Sequence, residues 1–209
     1  MIPRLVLASA SPRRSAILES LQIPFEVDPG QVHEVALPGE DPVEHALRLS
    51  KLKAEAVAAR RPSDWVLGGD TVVTIDGLIL GKPRTRDHAV DILLRLQGRT
   101  HQVVSALTLI VPPEAAPLQV ATASPWDSTH SGATVTTVTF RPFSAEAAEA
   151  YADTGEPLDK AGAYGIQEMG AALVEQVEGD YSAVVGLPVP LLLRLMEAAG
   201  IPYRFGMAP

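Results

Sequence analysis

The chain has 209 residues, 46% of them hydrophobic, enough for one domain of medium size with a substantial core. Its formal charge of -8 disfavours a general nucleic-acid or anionic-membrane surface, and no apolar run approaches the roughly 20 residues of a membrane helix. The absence of cysteine excludes disulfides, thiolate catalysis and cysteine-ligated zinc.

Arg4 and the run Leu-Val-Leu-Ala-Ser-Ala carry a hint of a signal peptide, but the apolar stretch before Ser9 is too short for one. Glu19 likewise interrupts the stretch after Arg13-Arg14, so a twin-arginine signal is not supported and a cytoplasmic protein is expected. Leu5 to Ala8 reads as a buried strand that breaks at Ser9-Ala10-Ser11. Ser11 is placed to cap a helix with Pro12 at its first position, where the missing N–H costs nothing. Arg13 and Arg14 then lie in the first turn of that helix. Its macrodipole is already positive there, so two cations suit an anion, a phosphate group above all; two solvated arginines that turn away from the helix start are the competing reading.

Ile23 to Val27 reads as a short strand and residues 31–40 as loop. Asp41, Pro42 and Glu44 form a capping-box start for a helix with an apolar stripe at Val43, Leu47, Ala54 and Val57. On that helix, Lys51 and Lys53 read by themselves as solvated lysines. Trp65 to Leu67 is a second buried strand, running into Gly68-Gly69-Asp70-Thr71 at its end. Val72 to Ile75 and Leu78 to Leu80 flank Asp76-Gly77, a strong two-residue hairpin signal. Thr85 or Asp87 caps a helix through Leu96 that Gly98 ends, and His101 to Val111 reads as a long strand.

Residues 112–132 are rich in Pro, Ala, Ser and Thr with weak periodicity, and are expected to form an irregular insertion. Ala133 to Phe140 is a Thr/Val-rich strand, and Ser144 caps a helix to about Ala152. Residues 156–170 are punctuated by glycine, Ala171 to Val177 reads as a strand, Gly179-Asp180 as a turn, and Leu187 to Ala199 as the last helix. Strands alternating with helices, with a hairpin among them, predict an α/β fold with a mixed sheet flanked by helices.

Several stretches set polar groups at the edges of apolar elements, where ligands collect in open α/β sheets. Asp70, after two glycines, could hold Mg²⁺ or act as general base on water; a turn aspartate satisfying local N–H groups is the competing reading. Lys82, between Gly81 and Pro83, suits a phosphate as a point charge. The stretch Asp159 to Gln167 sets small residues around Tyr164 and Gln167, which could wall a base pocket. His33, His45, His88, His101 and His130 show no metal-ligand spacing. Walker, G-x-G-x-x-G and G-x-S-x-G patterns are missing.

Taken together these stretches resemble the Maf family of nucleoside triphosphate pyrophosphatases. The matching pieces are Leu7 to Arg14, Gly69 to Val73, Gly81 to Pro83, Asp159 to Gln167, and Gly179 to Tyr181 with Val184 to Pro188, in family order across nearly the whole chain. The resemblance implies cleavage of a triphosphate between its α and β phosphates, with a divalent cation, Mg²⁺ or Mn²⁺, as cofactor. It implies Asp70 as the proton acceptor that activates water and as a metal ligand with Glu34. By motif match Arg13, Thr71 and Gln167 fall on specificity positions, and Ser9, Arg14, Lys53 and Lys82 on phosphate contacts. The Ala-Gly-Ala-Tyr-Gly-Ile-Gln form of residues 161–167 resembles the branch acting on dTTP and UTP. The family also implies an inosine triphosphatase-like fold, a single domain over residues 1–209 with two lobes around a central cleft, and a homodimer. Three features depart from its pattern: Gly69 in place of a usual alanine, Glu168 in place of a usual glycine, and the length of 112–132. A nucleotidyltransferase and a non-catalytic nucleotide-binding regulator of cell division are the alternative readings; the lack of glycine in residues 8–14 counts against the former.

Overall fold

The structure, a computed structural model, describes residues 4–112 and 128–206. Its centre is one mixed sheet. Strands β1 (Leu5–Leu7), β2 (Phe25–Val27) and β3 (Trp65–Ile75) run parallel, with β1 between the other two. The antiparallel strands are β4 (Leu78–Leu80), β5 (Thr100–Ile110), β6 (Thr129–Phe140) and β7 (Val174–Glu178). The order is β2-β1-β3-β5-β6-β7, with β4 folded back on β3. Asp76 and Gly77 both adopt left-handed backbone (φ 53° and 74°), as a tight hairpin with the right twist requires.

The helices are α1 (Pro12–Ser20), α2 (Pro42–Ala58), α3 (Arg86–Leu96), α4 (Ala145–Asp153), α5 (Tyr181–Val185) and α6 (Val189–Ala198). Three start where the sequence predicts: Asp41 accepts from the N–H groups of Val43 and Glu44, Thr85 from that of His88, and Ser144 from that of Ala147. Helix α1 also starts as expected, but the Ser11 side chain makes no capping bond. Helix α5 follows directly on the expected turn. Asp180 caps it by accepting from the N–H groups of Ser182 and Ala183. Strand β6 begins at Thr129 and pairs with β5 from Ile110 onward, so residues 129–132 of the expected insertion belong to the sheet. Residues 113–127 of that insertion lie outside the described residues.

The main correction concerns β3. Gly68-Gly69 does not end a strand; Trp65 to Ile75 is one continuous strand, and Asp70 lies in its middle. Gly68 serves close approach. A Cβ there would lie 2.2 Å from the Ser50 carbonyl oxygen and 2.9 Å from the Ala54 methyl, so only glycine lets α2 sit this close. Along β5, the far edge of β3 is paired from Val66 to Thr74. The near edge is shared: β1 pairs with residues 65–67 and β4 with residues 73–75. Neither strand pairs with residues 68–72, and a notch opens there.

Alternation along β3 then sorts its side chains. Trp65 and Leu67 pack with Leu18 of α1 and Leu192 of α6, while Val73 and Ile75 pack with Leu93 of α3 and Phe140. Val66 and Val72, on the other face, pack with Ala54 and Ala46 of α2 respectively. Among the described residues no helix is long and apolar enough to cross a membrane.

Candidate active site

A cleft of about 680 Å³ opens over the notch. All nine predicted site residues line it: Ser9, Arg13, Arg14, Glu34, Lys53, Asp70, Thr71, Lys82 and Gln167. Because Asp70 and Thr71 are neighbours on a pleated strand, they leave it on opposite faces, and each builds its own half of the site.

On the α2 face Asp70 is buried at 6% exposure. Its Oδ1 accepts from the Lys53 ammonium at 2.7 Å, and Lys53 also reaches Glu34 Oε1 at 2.6 Å. Lys53 is itself 7% exposed, which overturns its reading as a solvated helix lysine. The α2 stripe holds as expected in its second half, where Ala54 and Val57 are buried; in its first half Val43 and Leu47 are only half-buried, and His45, Leu49 and Lys53 face inward as well. The tight α2–β3 contact at Gly68 sets the Lys53 side chain over Asp70. Partial burial works to raise the pKa of Glu34, but its bond to Lys53 and the charges of Lys53, Lys82 and Arg14 outweigh that. They hold the carboxyl below its ordinary range.

On the opposite face lies Arg14, buried at 8% exposure. Its Nε donates to the Gly186 carbonyl at 2.8 Å, Nη1 to Ser9 Oγ at 2.8 Å, and Nη2 to Thr71 Oγ1 at 3.2 Å. Three of its five N–H groups are thereby committed to protein, and the planar fork is fixed in orientation. Burial lowers its pKa from the ordinary arginine value, opposed chiefly by the Asp70 charge. Ser9 Oγ also accepts from the Ser11 N–H at 3.2 Å, so the loop before α1 is tied to Arg14.

The hydroxyls behind Arg14 form a directed chain. Ser105 Oγ lies 2.6 Å from the Ala183 carbonyl, which can only accept, so Ser105 must donate there. Thr71 Oγ1, 2.8 Å from Ser105, then donates to Ser105 and accepts from Arg14. Ser105 is fully buried on β5, and the sequence reading passed over it. Only its register opposite Thr71 could have signalled it.

The remaining predicted residues stand at the rim. Arg13 crosses the cleft mouth to Asp159, 3.3 Å away. Lys82 and Gln167 line the cleft with exposed side chains, and Glu168 lies beside Gln167 with its carboxylate 4.0 Å from the buried Lys160. Tyr164, beneath this rim, lies 2.8 Å from His101 Nε2 and packs edge-on against His101 and Phe140. Burial lowers the His101 pKa to about 4, which leaves the ring neutral at ordinary pH.

The arrangement is one buried carboxylate held by lysine, facing a buried arginine fork across a polar cleft. It can bind a polyanion and accept a proton beside it. The family model for Maf-like proteins matches residues 4–199. The chain belongs to the Maf family. Its Maf relatives include a protein named dTTP/UTP pyrophosphatase from Koribacter versatilis, 43% identical over 94% of this chain and 95% of its own. Another of that name, from Pyrococcus furiosus, is 40% identical over 93% of this chain and 94% of its own. A more distant likeness is to the solved structure of the Staphylococcus aureus Ham1 protein. It is 16% identical with a TM-score of 0.42, over 66% of this chain and 71% of that one.

Proposed function

We propose that this Maf-family chain hydrolyses dTTP and UTP to the monophosphate and pyrophosphate. The observation that carries this reading is the buried Asp70 held by Lys53 at 2.7 Å across the cleft from the buried Arg14. Lys53 occupies Asp70 Oδ1, and Oδ2 takes the proton from a water aimed at the phosphoanhydride. The water oxygen bonds to phosphorus as the bridging P–O bond breaks, and pyrophosphate leaves. Arg14, with two N–H groups uncommitted, and Lys82 neutralise the triphosphate. Arg13, Thr71 and Gln167 serve selection, with Gln167 offering both a donor and an acceptor to the base. The names carried by relatives at about 40% identity support the pyrimidine substrates.

No group of three or more His, Asp or Glu side chains that could hold a metal occurs among the described residues. Asp70 and Glu34 are nevertheless drawn together by the Lys53 ammonium, which takes one oxygen of each, Oδ1 and Oε1, so two carboxylates stand side by side in the cleft. That donor set suits Mg²⁺ or Mn²⁺ bound by one or two carboxylates, with further oxygens from the substrate. When bound, the ion supplies charge stabilisation on the triphosphate oxygens. The enzyme is further proposed to be a cytoplasmic homodimer.

The test is a turnover panel of dTTP, UTP, CTP and GTP with Mg²⁺ and pyrophosphate as readout. Pyrophosphate from dTTP and UTP, abolished by Asp70→Asn, is expected. Release of orthophosphate alone, transfer of the nucleotide to an alcohol acceptor, or tight dTTP binding with no turnover at any metal would each sink the reading.

A further inference from the structure

The loop from Gly165 to Gly170 carries Gln167 and Glu168 into the cleft, and it is gripped from behind by two residues that do not line that cleft. Tyr151, on α4, is buried. Its hydroxyl accepts from the Gly165 N–H at 3.2 Å and donates to Glu156 Oε1 at 2.7 Å. Glu156, half-buried in the turn Glu156–Asp159, holds the other end of the loop. Its Oε1 accepts from the Gly170 N–H at 3.2 Å, and its Oε2 from the Met169 N–H at 3.1 Å. Both ends of a six-residue segment are thus tied to one Tyr–Glu couple through backbone amides.

The neck of the loop is closed as well. A Cβ on Gly170 would lie 2.4 Å from the Gly165 carbonyl oxygen and 2.5 Å from the Tyr151 hydroxyl, so the two ends pack with no room for a side chain. The Glu156 carbonyl also accepts from Lys160 Nζ at 2.7 Å, and Lys160 in turn reaches Asp159, the partner of Arg13. The same support therefore underlies both sides of the cleft mouth. None of these bonds reaches Asp70, Lys53 or Arg14. The phosphate end of the site rests on other elements: α1, α2, β3, β5, α5 with the Gly186 turn, and the loop after β4 that carries Lys82.

We propose that Tyr151 and Glu156 are positioning residues that preform the Gln167 loop and so set base selectivity, independently of triphosphate cleavage. This rests on the pyrophosphatase reading. A carboxylate suits the task because both of its oxygens accept, whereas an amide of the same size would turn an NH2 donor on the Met169 or Gly170 N–H. A preformed loop is what selectivity needs. A base edge is discriminated only where its partner is held in place without the substrate's help.

The experiment compares wild type, Tyr151→Phe and Glu156→Gln on dTTP, CTP and ribose 5-triphosphate, a triphosphate with no base. Each substitution preserves side-chain size and removes hydrogen-bonding capacity at the loop's ends. The dTTP-to-CTP ratio of kcat/KM is expected to fall about tenfold, the loss of roughly one well-made hydrogen bond, through a raised KM for dTTP. Ribose 5-triphosphate turnover is expected to change by less than about twofold, because its contacts lie elsewhere. On wild type, amide exchange at Gly165, Met169 and Gly170 is expected to be strongly protected. An unchanged ratio in the folded variants, an equal loss on the base-free triphosphate, or rapid exchange at those three amides would overturn the proposal. If wild type cleaves neither dTTP nor UTP, the pyrophosphatase reading fails instead, and amide exchange still decides whether the loop is pinned.

Discussion

Replacing Lys53 by Met tests the buried half of the site most directly. Methionine matches the lysine stem in volume and flexibility, so the change removes a charge with little repacking. Asp70 then keeps its burial and loses the ammonium at 2.7 Å. At that distance, with an effective dielectric constant of about 20, the direct attraction is about 6 kcal/mol. Removing one partner of a buried pair costs less than this, about 3–5 kcal/mol, because water and neighbouring dipoles respond. The reverse change, Asp70→Asn, is expected to cost less. Lys53 retains Glu34 at 2.6 Å, and the carbonyl of the introduced amide can still accept from it. The double variant is expected to be more stable than Lys53→Met alone by at least about 2 kcal/mol, because no buried carboxylate is stranded. Urea unfolding of all four proteins at pH 7 gives the cycle. A cost below about 1 kcal/mol for Lys53→Met, or no recovery in the double variant, would refute the reading of Lys53–Asp70 as a buried ion pair.

Three further outcomes follow from the geometry. Ser105→Ala frees the Thr71 proton and loosens Arg14, so kcat/KM should fall about tenfold even for ribose 5-triphosphate, which has no base for Thr71 to select; no loss on that substrate would contradict this. His101, with its pKa lowered by burial to about 4, binds its proton less readily when folded than its ordinary value of 6.5 implies. The unfolded chain therefore takes up more protons between those values, and wild type should lose about 2 kcal/mol of unfolding free energy from pH 7 to pH 5 beyond His101→Gln. Gly68→Ala forces a methyl against the Ser50 carbonyl and should lower stability by more than about 2 kcal/mol. Gly69→Ala meets Arg14 Nε and Leu107 at 3.2 Å and should cost less, as thermal unfolding of the two variants can show.

The sequence by itself determined the places where structure is decided within a few residues. Asp41, Thr85 and Ser144 mark helix starts because their side chains satisfy amides two or three positions on. Asp76-Gly77 fixes a hairpin because few other pairs tolerate two left-handed residues. The ordered motifs likewise hold seven of the nine residues that the cleft brings together, Ser9, Arg13, Arg14, Asp70, Thr71, Lys82 and Gln167; Glu34 and Lys53 lie outside them and came only from the family resemblance. Tertiary structure alone decided what those residues are bonded to. Gly68-Gly69 reads locally as a break, yet the strand runs through it, because the glycine answers to α2 and not to a turn. Lys53 reads as a solvated lysine until that same contact buries it on Asp70. The Arg14 at the start of α1, recognisable as an anion site, takes its orientation from Thr71 and from Gly186, 172 residues away. Ser105, Tyr151 and Glu156 carry no local mark, since their partners come from strands and loops that only folding brings together. Local hydrogen bonds and backbone preferences are written residue by residue; a buried charge pair, a directed hydroxyl chain and a gripped loop exist only once the sheet has closed.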